Sequence, residues 1–153
     1  MIKDYVFDRL NLPRKEGGYD NPAIQFKDLK DTIFRFHRST PEKPMWYFIK
    51  DISLVTGEDE KQKYVVIYEP LYPNNYSSFA RDINDFFSTL ESGRYKLMSY
   101  NELVGLAGRD SIAKQDLISE FSKIIEYQKG VERNSQDLII TVLKQLLGNL
   151  EDR

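Results

Sequence analysis

Cysteine is absent from the 153 residues, which excludes disulfides, thiolate metal sites and cysteine nucleophiles and is compatible with a reducing compartment. Histidine occurs once, at His37. Without Cys partners it cannot build the common zinc sites, and a site of another kind would need carboxylates around it. A basic excess is missing as well. The formal charge of -2 and pI near 5.5 remove the global positive field of a non-specific nucleic-acid binder, so any such contact must be local. No apolar run is long enough to span a bilayer. Met1 to Leu12 is interrupted by Lys3, Asp4, Asp8 and Arg9, and so lacks the apolar core of a secretory signal. The expectation is a cytoplasmic protein of a bacterium, a phage or another reducing host, with no membrane partner.

Nucleotide-binding and hydrolase signatures are absent too. There is no Walker loop, no dinucleotide Gly fingerprint and no Gly-x-Ser-x-Gly elbow, and Gly105-Leu-Ala-Gly108 is too short and follows no clear strand. Internal repeats and low-complexity segments are missing. No cofactor is expected.

What the chain does contain is an average globular mixture, 41% hydrophobic and 30% charged, enough for a real core in one ordinary domain. Its ten Tyr, nine Phe and one Trp crowd into the first hundred residues, where β-favouring side chains predict strands. Residues 1–30 read as an N-terminal extension, broken by Pro13, Gly17, Gly18 and Pro22. Residues 31–100 read as an antiparallel β domain. Within it, Ile33 to Phe36 mixes large apolar and polar residues, Met45 to Val55 is aromatic and β-branched, and Thr56-Gly57-Glu58-Asp59 supplies a turn. A return strand follows at Tyr64 to Tyr68, which predicts a hairpin between Trp46 and Tyr68. Ser77 to Arg81 predicts another short strand, Asp82 caps a helical turn that points Ile83, Phe86 and Phe87 inward, and Tyr95 to Met98 closes the domain.

After a junction at Gly105 and Gly108 the period changes, and residues 109–151 read as a helical pair for packing or oligomerisation. Leu117, Ile118, Phe121, Ile124 and Ile125 recur at helical spacing, with Asp110 or Ser111 as the cap and Gly130 at the end. A second helix runs from Asn134 or Ser135 to about Leu150. Eight of the thirteen residues from Leu138 to Leu150 are aliphatic, more than one core-facing stripe needs. The excess predicts either burial deep between the first helix and the β domain or cover by another subunit. The expectation taken is the second, with the Ile118, Phe121 and Ile125 row on one side and a second chain on the other, in a homodimer or higher homo-oligomer built through residues 117–150.

Three segments between residues 33 and 98 carry a resemblance. Phe34-Arg35-Phe36-His37-Arg38-Ser39, Val65-Val66-Ile67-Tyr68-Glu69-Pro70-Leu71-Tyr72 and Phe79-Ala80-Arg81-Asp82-Ile83-Asn84-Asp85-Phe86 occur in that order. This resembles a family of short bacterial domains of unknown function, which have a Tyr-Arg-His-Phe-Lys-Gly start, a Val-Val-Tyr-x-x-Leu-Tyr strand and a Trp-Val-Arg-Pro-x-x-x-Phe segment. Arg81 and Phe86 match the family's Arg and Phe. Its Gly is Ser39 here, its Trp is Phe79, its Pro is Asp82, and Ile67 lengthens the middle strand by one. The resemblance implies a small, strongly curved antiparallel sheet or SH3-like barrel; with the two C-terminal helices, which lie outside it, the expected fold class is α+β. It brings no reaction, ligand or catalytic residue.

Candidate site residues follow from the rings and charges. His37 reads as a structural or surface residue, and the acids Glu58, Asp59 and Glu60 read as a solvated hairpin turn beside Lys61 and Lys63. Asp82, Asp85 and Glu91 would be the acids of a carboxylate and divalent-ion site. Trp46, Tyr68, Tyr72, Tyr76 and Arg81 lie on or beside neighbouring strands, where rings stack on a base or a peptide and arginine binds phosphate or carboxylate. The opposing reading gives these rings to the core and pairs Arg81 with a nearby acid. The function expected is a non-enzymatic binding or regulatory module whose ligand is a small nucleotide, a nucleic acid or a peptide. One alternative is a phage-type protein that sequesters a small signalling nucleotide or blocks a host protein; the other is a small metal enzyme acting on nucleotide or nucleic acid.

Overall fold

The computed structural model describes residues 29–59, 61–98 and 113–151. The N-terminal extension up to residue 28 and the Gly105 and Gly108 junction lie outside the described residues, as do Asp110 and Ser111. Neither of these two is the cap expected: the first C-terminal helix begins at Lys114, with Ala113 at its N-cap and no side-chain cap bond. Five strands are present: β1 (Ile33–Phe36), β2 (Trp46–Thr56), β3 (Gln62–Pro70), β4 (Phe79–Asp82) and β5 (Tyr95–Leu97). Helix α1 (Ile83–Glu91) sits between β4 and β5, and α2 (Lys114–Lys129) and α3 (Gln136–Glu151) follow. The sheet is curved and wholly antiparallel, in the order β4-β3-β2-β1-β5. No pairing joins β4 to β5 among the described residues, so the sheet is open and not a closed barrel.

Alternation along the strands creates two cores. Phe34, Tyr47, Ile49, Val66, Tyr68, Tyr95 and Leu97 point to one face, where α1 covers them with Ile83, Phe86, Phe87 and Leu90. Ile33, Trp46, Phe48, Leu71 and Met98 point to the other, where α2 and α3 lie. The register of β2 against β3 shifts between Ile49 and Asp51. That irregularity lets Ile49 and Ile52, three residues apart, share one core. Beyond Ile52 the β2–β3 hairpin runs out past its neighbours, and Leu54 and Val55 are exposed.

Local chemistry fixes the helix ends. The Asp82 carboxylate accepts hydrogen bonds from the amides of Asn84 (2.9 Å) and Asp85 (3.2 Å), capping α1 as its sequence predicts. Gly93 takes φ +79° just past that helix, a conformation in which a Cβ would be strained. In α2 and α3 the buried rows are Leu117, Phe121, Ile124 and Ile125 against Ile139, Leu143, Leu146 and Leu150. Ile140, Val142 and Leu147 are half-buried, and Leu138 is 43% exposed. No described helix is long and apolar enough to cross a membrane.

A buried ion pair ties the second core together. Glu120 on α2 is fully buried and accepts bonds from Arg35 Nε (3.1 Å), Arg35 Nη2 (3.0 Å) and Trp46 Nε1 (3.1 Å), and from the Ser39 hydroxyl. Arg35 Nη2 also donates to the Ser39 carbonyl at 2.6 Å. The carboxylate therefore holds β1, β2 and their connecting loop to the helix, and its oxygens are occupied in a place where an unpaired charge would be costly.

Candidate functional site

The site is built around Leu71, the residue that leaves β3. Its amide donates to the Trp46 carbonyl at 2.8 Å, and its carbonyl accepts from Gln128 Nε2 at 3.2 Å. Clamped between sheet and helix, buried Leu71 forces the next residue, Tyr72, to the rim. There the Tyr72 hydroxyl meets the Tyr47 hydroxyl at 2.8 Å. Burial, and then this contact with Tyr72, raises the Tyr47 phenol well above its ordinary range. Asn74 then closes the turn, its side-chain oxygen accepting from the Tyr76 amide at 2.9 Å.

Two clefts open on this loop and share Tyr72 and Tyr127 as a common wall. The first, about 390 Å³, is floored by Leu71, Ile124, Pro44 and Pro73, with Glu42, Lys43 and Lys123 at its margin. The second, about 330 Å³, is polar, with Asn74, Asn75, Tyr76 and Ser77 on one side and Val131, Glu132 and Arg133 on the other. Together they form a groove between the 71–77 loop and the C-terminal half of α2.

Both ends of the groove are tethered. At the apolar end Lys123 Nζ donates to the carbonyls of Pro41 (3.2 Å) and Glu42 (3.1 Å), fastening the β1–β2 loop to α2. At the polar end Glu69 accepts from Arg133 Nη1 (3.3 Å) and Ser135 Oγ (3.1 Å), fastening the α2–α3 loop to β3. Gln136 Nε2 donates to the Gln128 carbonyl at 2.7 Å and shapes the same corner. Walls held in this way lose little freedom when a ligand arrives.

The five ring and arginine candidates are distributed over three places. Tyr72 and Tyr76 line the groove, Tyr76 with 67% of its surface exposed and its ring 5.7 Å from that of Phe79. Trp46 is fully buried on the helix side of the sheet, its ring 4.3 Å from Phe121. Tyr68 is buried in the α1-side core, and Arg81 lies over the Tyr95 ring at 5.9 Å. The adjacent Tyr68 phenol raises the Arg81 pKa, and burial raises that of Tyr95. His37 is exposed, its Nδ1 3.2 Å from the Arg94 carbonyl. Among the described residues no three His, Asp or Glu side chains converge as a metal site would require.

Sequence reasoning missed Tyr127, Asn75, Glu132 and Arg133. Tyr127 stands one turn beyond Lys123, on a helix whose apolar spacing draws the eye to the core row and away from its flank. Comparison with protein-family models, with curated proteins and with solved structures finds no match.

Proposed function

We propose that the chain is a binding module whose ligand lies in the groove walled by Tyr72 and Tyr127. One observation carries this reading: rings from two separate elements, the 71–77 loop and α2, flank a tethered groove whose halves are each of small-ligand size. Tyr contributes large contact area with few rotatable bonds, so its ordering cost on binding is low. A thermal-shift screen against nucleotides, oligonucleotides and peptides tests the proposal. At least one class is expected to raise the wild-type melting temperature and to lose that effect in Tyr127→Ala. A screen without any Tyr127-dependent response overturns it.

Self-association through α3 is the second part of the proposal. Leu138, exposed, and Val142, half-buried at the edge of the core, share a row with Gln145 that flanks the buried row of Ile139, Leu143 and Leu146. Burial of that row in a two-fold helix pair would remove apolar surface from water. Light scattering is expected to report a dimer at micromolar concentration and a monomer for Leu138→Lys. A wild-type monomer contradicts this part alone.

A further inference from the structure

We infer that the groove takes an extended, proline-containing peptide segment and sets a basic side chain of that segment beside Glu132. The inference rests on the binding reading above and names its ligand.

The charges of the polar cleft disfavour a phosphate-bearing ligand there, and the exposed Lys43 belongs to the other, apolar cleft, together with Glu42. Arg133 is already paired with Glu69 at 3.3 Å, and the Lys123 ammonium is turned to the carbonyls of Pro41 and Glu42. A phosphate entering the polar cleft would find the guanidinium engaged by Glu69, which also meets Lys50 Nζ at 3.6 Å, and would face Glu132, an exposed carboxylate with no ion pair among the described residues. A basic side chain in the same place gains that carboxylate as a partner. The remaining polar side chains of the 74–77 wall, the Asn74 and Asn75 amides, the Tyr76 phenol and the Ser77 hydroxyl, are uncharged. Groups of that kind match the carbonyls and amides of a peptide backbone better than a phosphate dianion.

Shape supports the same occupant. From Lys123 to the α2–α3 loop the groove follows α2 for roughly 12 Å at 1.5 Å per residue, the length of about four residues of extended chain. Tyr72 and Tyr127 over a floor of Leu71, Ile124, Pro44 and Pro73 make an aromatic and apolar surface, the kind on which a polyproline-type segment docks with a small loss of conformational freedom.

The test is selection of a displayed library of random peptides, about twelve residues long so as to overfill the groove, on the full chain and on its variants. Selection on wild type is expected to enrich proline together with Lys or Arg, and Tyr127→Ala is expected to weaken the selected peptides about tenfold or more, as loss of a central interface ring does. Glu132→Lys, a change on an exposed loop, is expected to exchange the basic preference for an acidic one. Enrichment that lacks proline or basic residues, or an unchanged preference in Glu132→Lys, overturns the inference. ATP and a thymidine decanucleotide are titrated in parallel on the same proteins. A Tyr127-dependent response to either, without peptide enrichment, refutes the peptide and leaves the binding reading standing. Silence from every probe refutes both.

Discussion

Removing the Glu120 carboxylate is expected to be among the most damaging single changes available in the described fold. Glu120→Ala would strand the Arg35 guanidinium, 7% exposed, with only the Ser39 carbonyl, and would take the acceptor from the Trp46 indole N–H and from the Ser39 O–H, whose oxygen keeps the Met45 amide. Breaking one side of a buried pair costs about 3 to 5 kcal/mol. For a chain of this length that is a fall of roughly 6 to 20 °C in melting temperature. The double variant Arg35→Met with Glu120→Leu removes both charges and keeps apolar bulk, and it is expected to recover most of the loss, because desolvating two ions offsets much of their attraction. Urea titration followed by tryptophan fluorescence is the assay, since Trp46 is the only tryptophan and touches the carboxylate. A Glu120→Ala variant destabilised by less than about 1 kcal/mol, the value of an exposed pair, would refute the claim that this pair is desolvated and holds α2 to the sheet.

Further expectations concern pH, a cap, a turn and the third helix. The raised phenols of Tyr47 and Tyr95 favour the protonated folded state, so their contribution is intact below the unfolded value near 10 and is lost as pH climbs toward the folded one. Tyr47 steepens alkaline unfolding above about pH 10 by up to about 1.4 kcal/mol per pH unit, Tyr95 acts in the same direction, and Tyr47→Phe is expected to flatten that slope in urea melts taken at successive pH values. Asp82→Ala is expected to cost about 1 kcal/mol by loss of the α1 cap, and Gly93→Ala about 1 kcal/mol through its positive φ, both read from urea midpoints. Leu143→Glu places a carboxylate in the helix-side core and is expected to abolish cooperative unfolding in circular-dichroism melts, whereas Leu138→Lys is expected to leave the fold intact.

The β domain was legible because its signals are local. Asp82 before Ile83, Phe86 and Phe87 announces a capped helix, and Thr56 to Asp59 between two aromatic, β-branched runs announces a hairpin. Both helices of the C-terminal pair end within a residue or so of their expected positions at Gly130 and Leu150. Partition between the two cores was not legible. Trp46 and Tyr68 look alike as ring-bearing strand residues, and only the alternation along β2 together with the pairing of Tyr68 to Ile49 sends one toward Phe121 and the other toward α1. The groove depends on residues far apart in the chain, with Tyr72 and Tyr127 joined through Leu71, Trp46 and Gln128 by hydrogen bonds that no periodicity encodes. Likewise the Arg35 and Glu120 pair links positions 85 residues apart, and neither residue differs in type from the surface charges around it.

The most direct measurement of the binding claim is an amide NMR map of the ¹⁵N-labelled chain, titrated with the tightest ligand from the thermal-shift screen. The account predicts shifts concentrated at Tyr72, Asn75, Tyr127 and Glu132, with Leu54 and Leu138 unmoved. Shifts centred on Arg81 and Tyr95, or on the exposed row of α3, with the groove silent, would contradict it.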